Sequence, residues 1–93
     1  MKVINASEVR GANGLVIKYD QKRVSYKKNS YSTAMNVEFV LNPVTLLLYV
    51  DTLDSWYPPH QDEQMSGLEK KMIIDSVAKA LDLLKIKYEI VLQ

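Results

Sequence analysis

Apolar and polar residues alternate through most of the first half of the chain, and a helical period replaces the alternation in the last third. An extended piece around Lys2 to Ile4 is broken by Gly11-Ala12-Asn13-Gly14, residues that tolerate the positive φ angles of turns. Beyond it Leu15, Ile17 and Tyr19 alternate with Val16 and Lys18, and Val24 and Tyr26 alternate with Arg23, Ser25 and Lys27. Pairing Tyr19 with Lys22 across an Asp20-Gln21 turn puts Leu15, Ile17, Tyr19, Val24 and Tyr26 on one face and most of the cations on the other. A second hairpin turns at Asn42-Pro43, where proline presets φ. Pairing Leu41 with Val44 gathers Met35, Val37, Phe39, Leu41, Val44, Leu46, Leu48 and Val50 on a face predicted to be core. Val40, Leu47 and Tyr49 make the reverse face less polar than a free surface, so these strands are expected to be central, or covered by another element or a partner.

Ser66 followed by Glu69 is a capping box and predicts a helix over about residues 67–84. Ile73, Ile74, Val77, Ala80, Leu81 and Leu84 fall in one stripe, with Lys71, Asp75, Lys79 and Asp82 opposite. Such a helix, about 27 Å long, can cross a sheet of several strands. After a short connection near Lys85, alternation resumes from Ile86 to Leu92 and predicts a final strand. The fold class is therefore α+β, one domain over residues 1–93. A single-layer antiparallel β-sheet of about five to six strands, with hairpins over about 2–50, is packed by one long C-terminal helix and closed by a last strand. Residues 51–65 form the connecting loop.

Composition narrows this reading only slightly. With 47% hydrophobic and 25% charged residues the chain is globular, and no cysteine is present to form a disulfide or thiolate site. The N-terminus lacks a signal-peptide pattern and Leu46 to Val50 is too short to span a bilayer, so a soluble, cytoplasmic protein with no membrane partner is expected. Twelve basic against eleven acidic residues leave a net charge of +1. The charges cluster, however. Lys18, Lys22, Arg23, Lys27 and Lys28 stand against Asp20 alone, whereas Asp51, Asp54, Asp62 and Glu63 lie in a stretch without Lys or Arg.

That acidic stretch also holds the sole tryptophan and the sole histidine, in Trp56-Tyr57-Pro58-Pro59-His60. His60 with Asp62 and Glu63 is the one grouping that resembles an acid–base set, but a lone histidine in a proline-bounded loop has no visible orienting partner, and no enzymatic activity is expected. Scattered carboxylates with one histidine lack metal-ligand spacing, and the glycines at 11, 14 and 67 cannot form a phosphate loop; no cofactor is expected. Aromatic anchors with an acidic rim suit a basic protein partner instead, which makes Asp51, Asp54, Trp56, Tyr57, His60, Asp62 and Glu63 the candidate partner-binding residues. Two alternatives use other residues. The basic hairpin over 18–28, interleaved with Tyr19, Tyr26 and Tyr31, would serve a nucleic-acid-binding module, a weaker reading because the alternation turns Tyr19 and Tyr26 away from most cations. A self-associating accessory domain would pair as a homodimer through Val40, Leu47 and Tyr49.

The tract from Tyr49-Val50-Asp51 through Trp56-x-Pro58-Pro59-His60, then Glu63, Ser66 and the helix with Ile73, Ile74 and Leu81, resembles a family of small bacterial immunity proteins. Those proteins accompany polymorphic toxins, including the toxins of contact-dependent growth inhibition. The resemblance covers about residues 37–92, and the first half agrees only in its hairpin character. It implies a protein without enzymatic activity that binds the C-terminal domain of a cognate toxin, often a nuclease, and blocks it. Immunity proteins that mask nucleases are frequently acidic, and this near-neutral chain departs from that pattern; a localised acidic loop is the expected contact.

Overall fold

In the computed structural model, which describes residues 1–92, each strand up to the sixth pairs with its predecessor because every connection is a tight antiparallel return. The strands are β1 (Lys2–Asn5), β2 (Glu8–Arg10), β3 (Val16–Tyr19), β4 (Arg23–Lys28), β5 (Tyr31–Val40) and β6 (Thr45–Tyr49). A 3₁₀ turn (Val50–Thr52) and a loop lead to α1 (Gly67–Leu83), which crosses one face and delivers β7 (Tyr88–Val91) parallel to β6. The sheet order is β1-β2-β3-β4-β5-β6-β7. Seven strands exceed the five to six expected, and the closing pair is parallel, as a helical crossover requires.

The additional strand is β2. Asn5 accepts the backbone N–H of Ser7 at 2.9 Å through its Oδ1, so its side chain turns the chain before Gly11 does. The first long hairpin also differs in register: Tyr19 pairs with Val24, not Lys22. The Asp20 carboxylate accepts the N–H groups of Lys22 (2.7 Å) and Arg23 (2.8 Å), which makes Gln21-Lys22 the turn. Because the shift is two residues, no side chain changes face. At the second hairpin Phe39 faces Leu46 and Val37 faces Leu48, as the Leu41 and Val44 pairing requires. Leu41 and Val44 themselves, expected in the core, are 74% and 59% exposed, since they sit at a hairpin tip beyond the helix.

One face of the sheet is dry. Val9, Ile17, Val24, Met35, Val37, Leu46 and Leu48 meet Ile73, Val77, Ala80 and Leu81 of α1, with Ile74 and Leu84 packed at the margin. The helix starts where the sequence placed its cap: Ser66 Oγ accepts the Glu69 N–H at 3.0 Å, and Glu69 Oε1 accepts the Ser66 N–H at 2.9 Å. It stops in a Schellman motif, in which the Ile86 N–H reaches Leu81 O at 2.9 Å and the Lys85 N–H reaches Asp82 O at 3.1 Å. That geometry sets Lys85 at φ +60°, a conformation that suits glycine better than a residue with a Cβ. Among the described residues no helix is long and apolar enough to cross a membrane.

Lys85→Gly is expected to raise unfolding stability by about 0.5–1 kcal/mol by relieving the left-handed position. Ser66→Ala is expected to lower it by about 1 kcal/mol through loss of the cap. Urea denaturation of the two variants beside the parent checks both signs.

Candidate functional site

The stretch from Val50 to Met65 is anchored from below by four buried apolar side chains, Val50, Leu53, Trp56 and Met65. Hydrogen bonds fix its path along β5, continuing the edge that β6 leaves. Thr52 Oγ1 accepts the Asn36 N–H at 2.8 Å and donates to Tyr49 O at 2.6 Å. Thr33, itself buried, donates its hydroxyl to Ser55 O at 2.7 Å, and the Tyr57 N–H donates to Ser32 O at 2.8 Å. Ser55 forms an isolated bridge with Gln64, and two further turns follow in His60 N–H to Tyr57 O and Glu63 N–H to His60 O, each at 3.0 Å. The Pro58-Pro59 peptide inside the first of these turns is cis.

A polar latch ties this loop to the turn between β4 and β5. The His60 ring stacks on Tyr31 with centroids 3.7 Å apart and planes 11° apart, while Tyr31 meets Trp56 edge-on at 4.9 Å. Glu63 binds both partners: Oε1 accepts the Tyr31 hydroxyl at 2.6 Å and Oε2 pairs with His60 Nδ1. His60 Nε2 lies 2.8 Å from Ser30 Oγ. The Tyr31 hydrogen bond first, and the His60 contact second, hold the Glu63 carboxyl below the ordinary glutamate range; the same carboxylate pushes the Tyr31 phenol up.

The succession of serine hydroxyl, imidazole and carboxylate has the order of a nucleophile relay. Here the hydroxyl sits on an exposed two-residue turn. Four side chains from two loops are instead cross-linked, and the arrangement acts as a bracket. Beside it a crevice of about 150 Å³ is lined by Tyr26, Lys28, Asn29, Tyr31, Trp56 and Glu69. That volume is below the roughly 300–1,000 Å³ typical of small-molecule sites. Among the described residues no three His, Asp or Glu side chains form a group able to hold a metal ion.

The seven candidate residues divide by this geometry. Trp56 is 6% exposed and belongs to the core, and His60 and Glu63 are engaged in the latch. Asp54, Tyr57 and Asp62 point outward, with Tyr57 42% exposed, and Asp51 is an exposed residue of the 3₁₀ turn at the base of the loop. Ser30 and Tyr31 went unrecognised as parts of the site. Their signal was Asn29, whose φ of +57° makes Asn29-Ser30 a two-residue hairpin turn that brings Lys28 opposite Tyr31. In the basic hairpin the alternation puts Lys18, Arg23 and Lys27 on the uncovered face, away from Tyr19 and the buried Tyr26.

The latch has a defined pH window. A glutamate whose folded pKa is depressed stabilises the fold above its ordinary 4.5, and that contribution is lost as pH falls through the lower folded value. The raised Tyr31 stabilises below its ordinary 10.0 and is lost as pH rises through its folded value. Tyr31→Phe is therefore expected to move the Glu63 titration upward toward 4.5, read by carboxyl NMR, and to make the acid-side loss of stability shallower. Trp56→Ala, which empties a buried site, is expected to cost about 3–5 kcal/mol in denaturant unfolding.

No curated protein and no solved structure matches the chain significantly. A family model does: that of immunity protein 74 matches residues 16–91, from the start of β3 to the end of β7. β1 and β2 lie outside the match, and the helix, the latch and the loop lie within it. The chain belongs to the immunity protein 74 family.

Proposed function

We propose that this immunity protein is a stoichiometric inhibitor that binds the C-terminal domain of a cognate bacterial toxin and blocks it by occupying its active site or the approach to it. The family match over residues 16–91 carries the reading. Immunity protein families are generally non-enzymatic, and the effect proposed here comes from binding alone. The toxin belongs to a polymorphic or contact-dependent growth inhibition system and is met in the cytoplasm; a nuclease is the first class to test.

The contact we assign is the outer surface of the loop, with Tyr57 as the aromatic anchor, Asp54 and Asp62 as its acidic rim and Asp51 at its base. Trp56, His60 and Glu63 serve the contact from behind by holding the loop in one conformation. A loop already fixed by its own hydrogen bonds loses little entropy on binding, so more of the contact energy appears as affinity. A local acidic rim steers a basic partner without the broad charge mimicry that a near-neutral chain cannot provide.

Co-purification with the toxin domain encoded immediately upstream, and rescue of cells that express that toxin, are the expected results. Tyr57→Ala is expected to weaken the complex by about 30-fold or more while leaving the melting temperature unchanged, since the side chain is not core. Absence of a complex at micromolar concentrations would sink the reading.

A further inference from the structure

Among the described residues no element packs on the face of the sheet opposite α1, and that face is divided diagonally by chemistry. At one corner lie Arg10 on β2, Lys18 on β3, and Arg23 and Lys27 on β4. Glu8 is the carboxylate among them: buried in the sheet, it takes Arg10 at 2.6 Å and Lys18 at 3.7 Å. Arg23 and Lys27 form no ion pair among the described residues. At the opposite corner Val40, Leu47, Tyr49 and Val91 are half-buried apolar groups on β5, β6 and β7. Two carboxylates, Glu38 and Glu89, flank Leu47 in one cross-strand row, and the Tyr49 hydroxyl donates to Glu38 at 3.0 Å. Lys87 lies just beyond, at the margin before β7. Between the corners β5 presents Ser32, Ala34 and Asn36, of which the first two are small, so that part of the surface is low.

From this layout we infer that the uncovered face pairs with the same face of a second copy of the chain. A two-fold axis lying between two such sheets, across the diagonal, sets the cationic corner of each over the carboxylates and apolar strip of the other. The low centre lets the sheets approach, and the protein is a slab of 40 × 31 × 20 Å, so its broad face can supply the roughly 800 Å² per partner of a standard interface. A nucleic acid would use the cations but gain nothing from Val40, Leu47 and Val91. A second copy uses both halves. The pairing is independent of toxin recognition, since Asp54 and Asp62 belong to the connecting loop and not to the strands of this face.

Sedimentation equilibrium over a concentration series tests the inference with two variants, Arg23→Glu/Lys27→Glu and Glu38→Lys/Glu89→Lys, all of whose changes are at exposed positions. The parent is expected to dimerise and to dissociate as salt is raised. Each variant alone is expected to associate at least about tenfold more weakly, because reversal leaves like charges opposed. An equimolar mixture of the two variants is expected to recover the parental association, since each reversed corner then meets its complement. Circular dichroism melting verifies that both variants remain folded, and Leu47→Ser supplies a variant without charge change that must also weaken the dimer. A parent that stays monomeric to roughly millimolar concentration, a dimer untouched by either reversal, a mixture no tighter than its components, or retention of single-stranded RNA or DNA that competes with self-association would each overturn it. Toxin binding by Tyr57→Ala reads the separate proposal and is unaffected by these outcomes.

Discussion

One helix has to dry one face of seven strands, and most of the architecture follows from that shortage of cover. A helix of seventeen residues is about 25 Å long and 10–12 Å wide, whereas seven strands at their usual spacing measure about 29 Å across. The stripe from Ile73 to Leu81 covers the middle of the sheet. The remainder falls to the loop before the helix, whose Leu53, Trp56 and Met65 are as buried as the helix residues themselves. This is why a long connection runs close along β5 instead of standing off in solvent, why its backbone groups find partners on Thr33 and Ser32, and why its Thr52 hydroxyl accepts the Asn36 N–H. A loop that is part of the lid must be held in place, and the latch through Tyr31, His60 and Glu63 holds it.

The strands and helix were legible in the sequence wherever one face of an element meets the core. Alternation placed Ile17, Val24, Met35, Val37, Leu46 and Leu48 on the dry side, and the Ser66 and Glu69 spacing located the helix start to the residue. What escaped was local turn chemistry. Asn5, Asp20 and Asn29 each set a turn through a side-chain hydrogen bond or a positive φ, and periodicity does not register such effects. The missed strand β2, the two-residue register shift and the unread Ser30 and Tyr31 all trace to these three residues. Leu41 and Val44 failed for a different reason: a pattern assigns a face but not the length over which the helix covers it.

The site was legible as a segment and not as a set of roles. Trp56, His60 and Glu63 stood out by residue type, yet their partners come from positions about thirty residues earlier, and no local spacing links Tyr31 to Glu63. Sequence proximity grouped His60 with Asp62 and Glu63 as the one set resembling an acid–base group. The fold separates them, engaging the exposed Glu63 in the latch and leaving Asp62 in solvent. The family resemblance rested on the same tract and located the class of protein without distinguishing these roles.

The separation has a consequence for how the loop can meet a partner. Glu63 keeps its charge, but its two carboxylate oxygens already accept from Tyr31 and His60, so it serves the latch first. Asp54 and Asp62, on either side of Tyr57 in the chain, are exposed and lie outside the latch. In the contact proposed above, one aromatic ring does most of the burying and two charges set orientation, in place of an extended acidic surface imitating a polyanion. The near-neutral composition, which departs from the strongly acidic pattern of many nuclease-masking immunity proteins, is consistent with that economy: charge is concentrated where a rigid loop can present it.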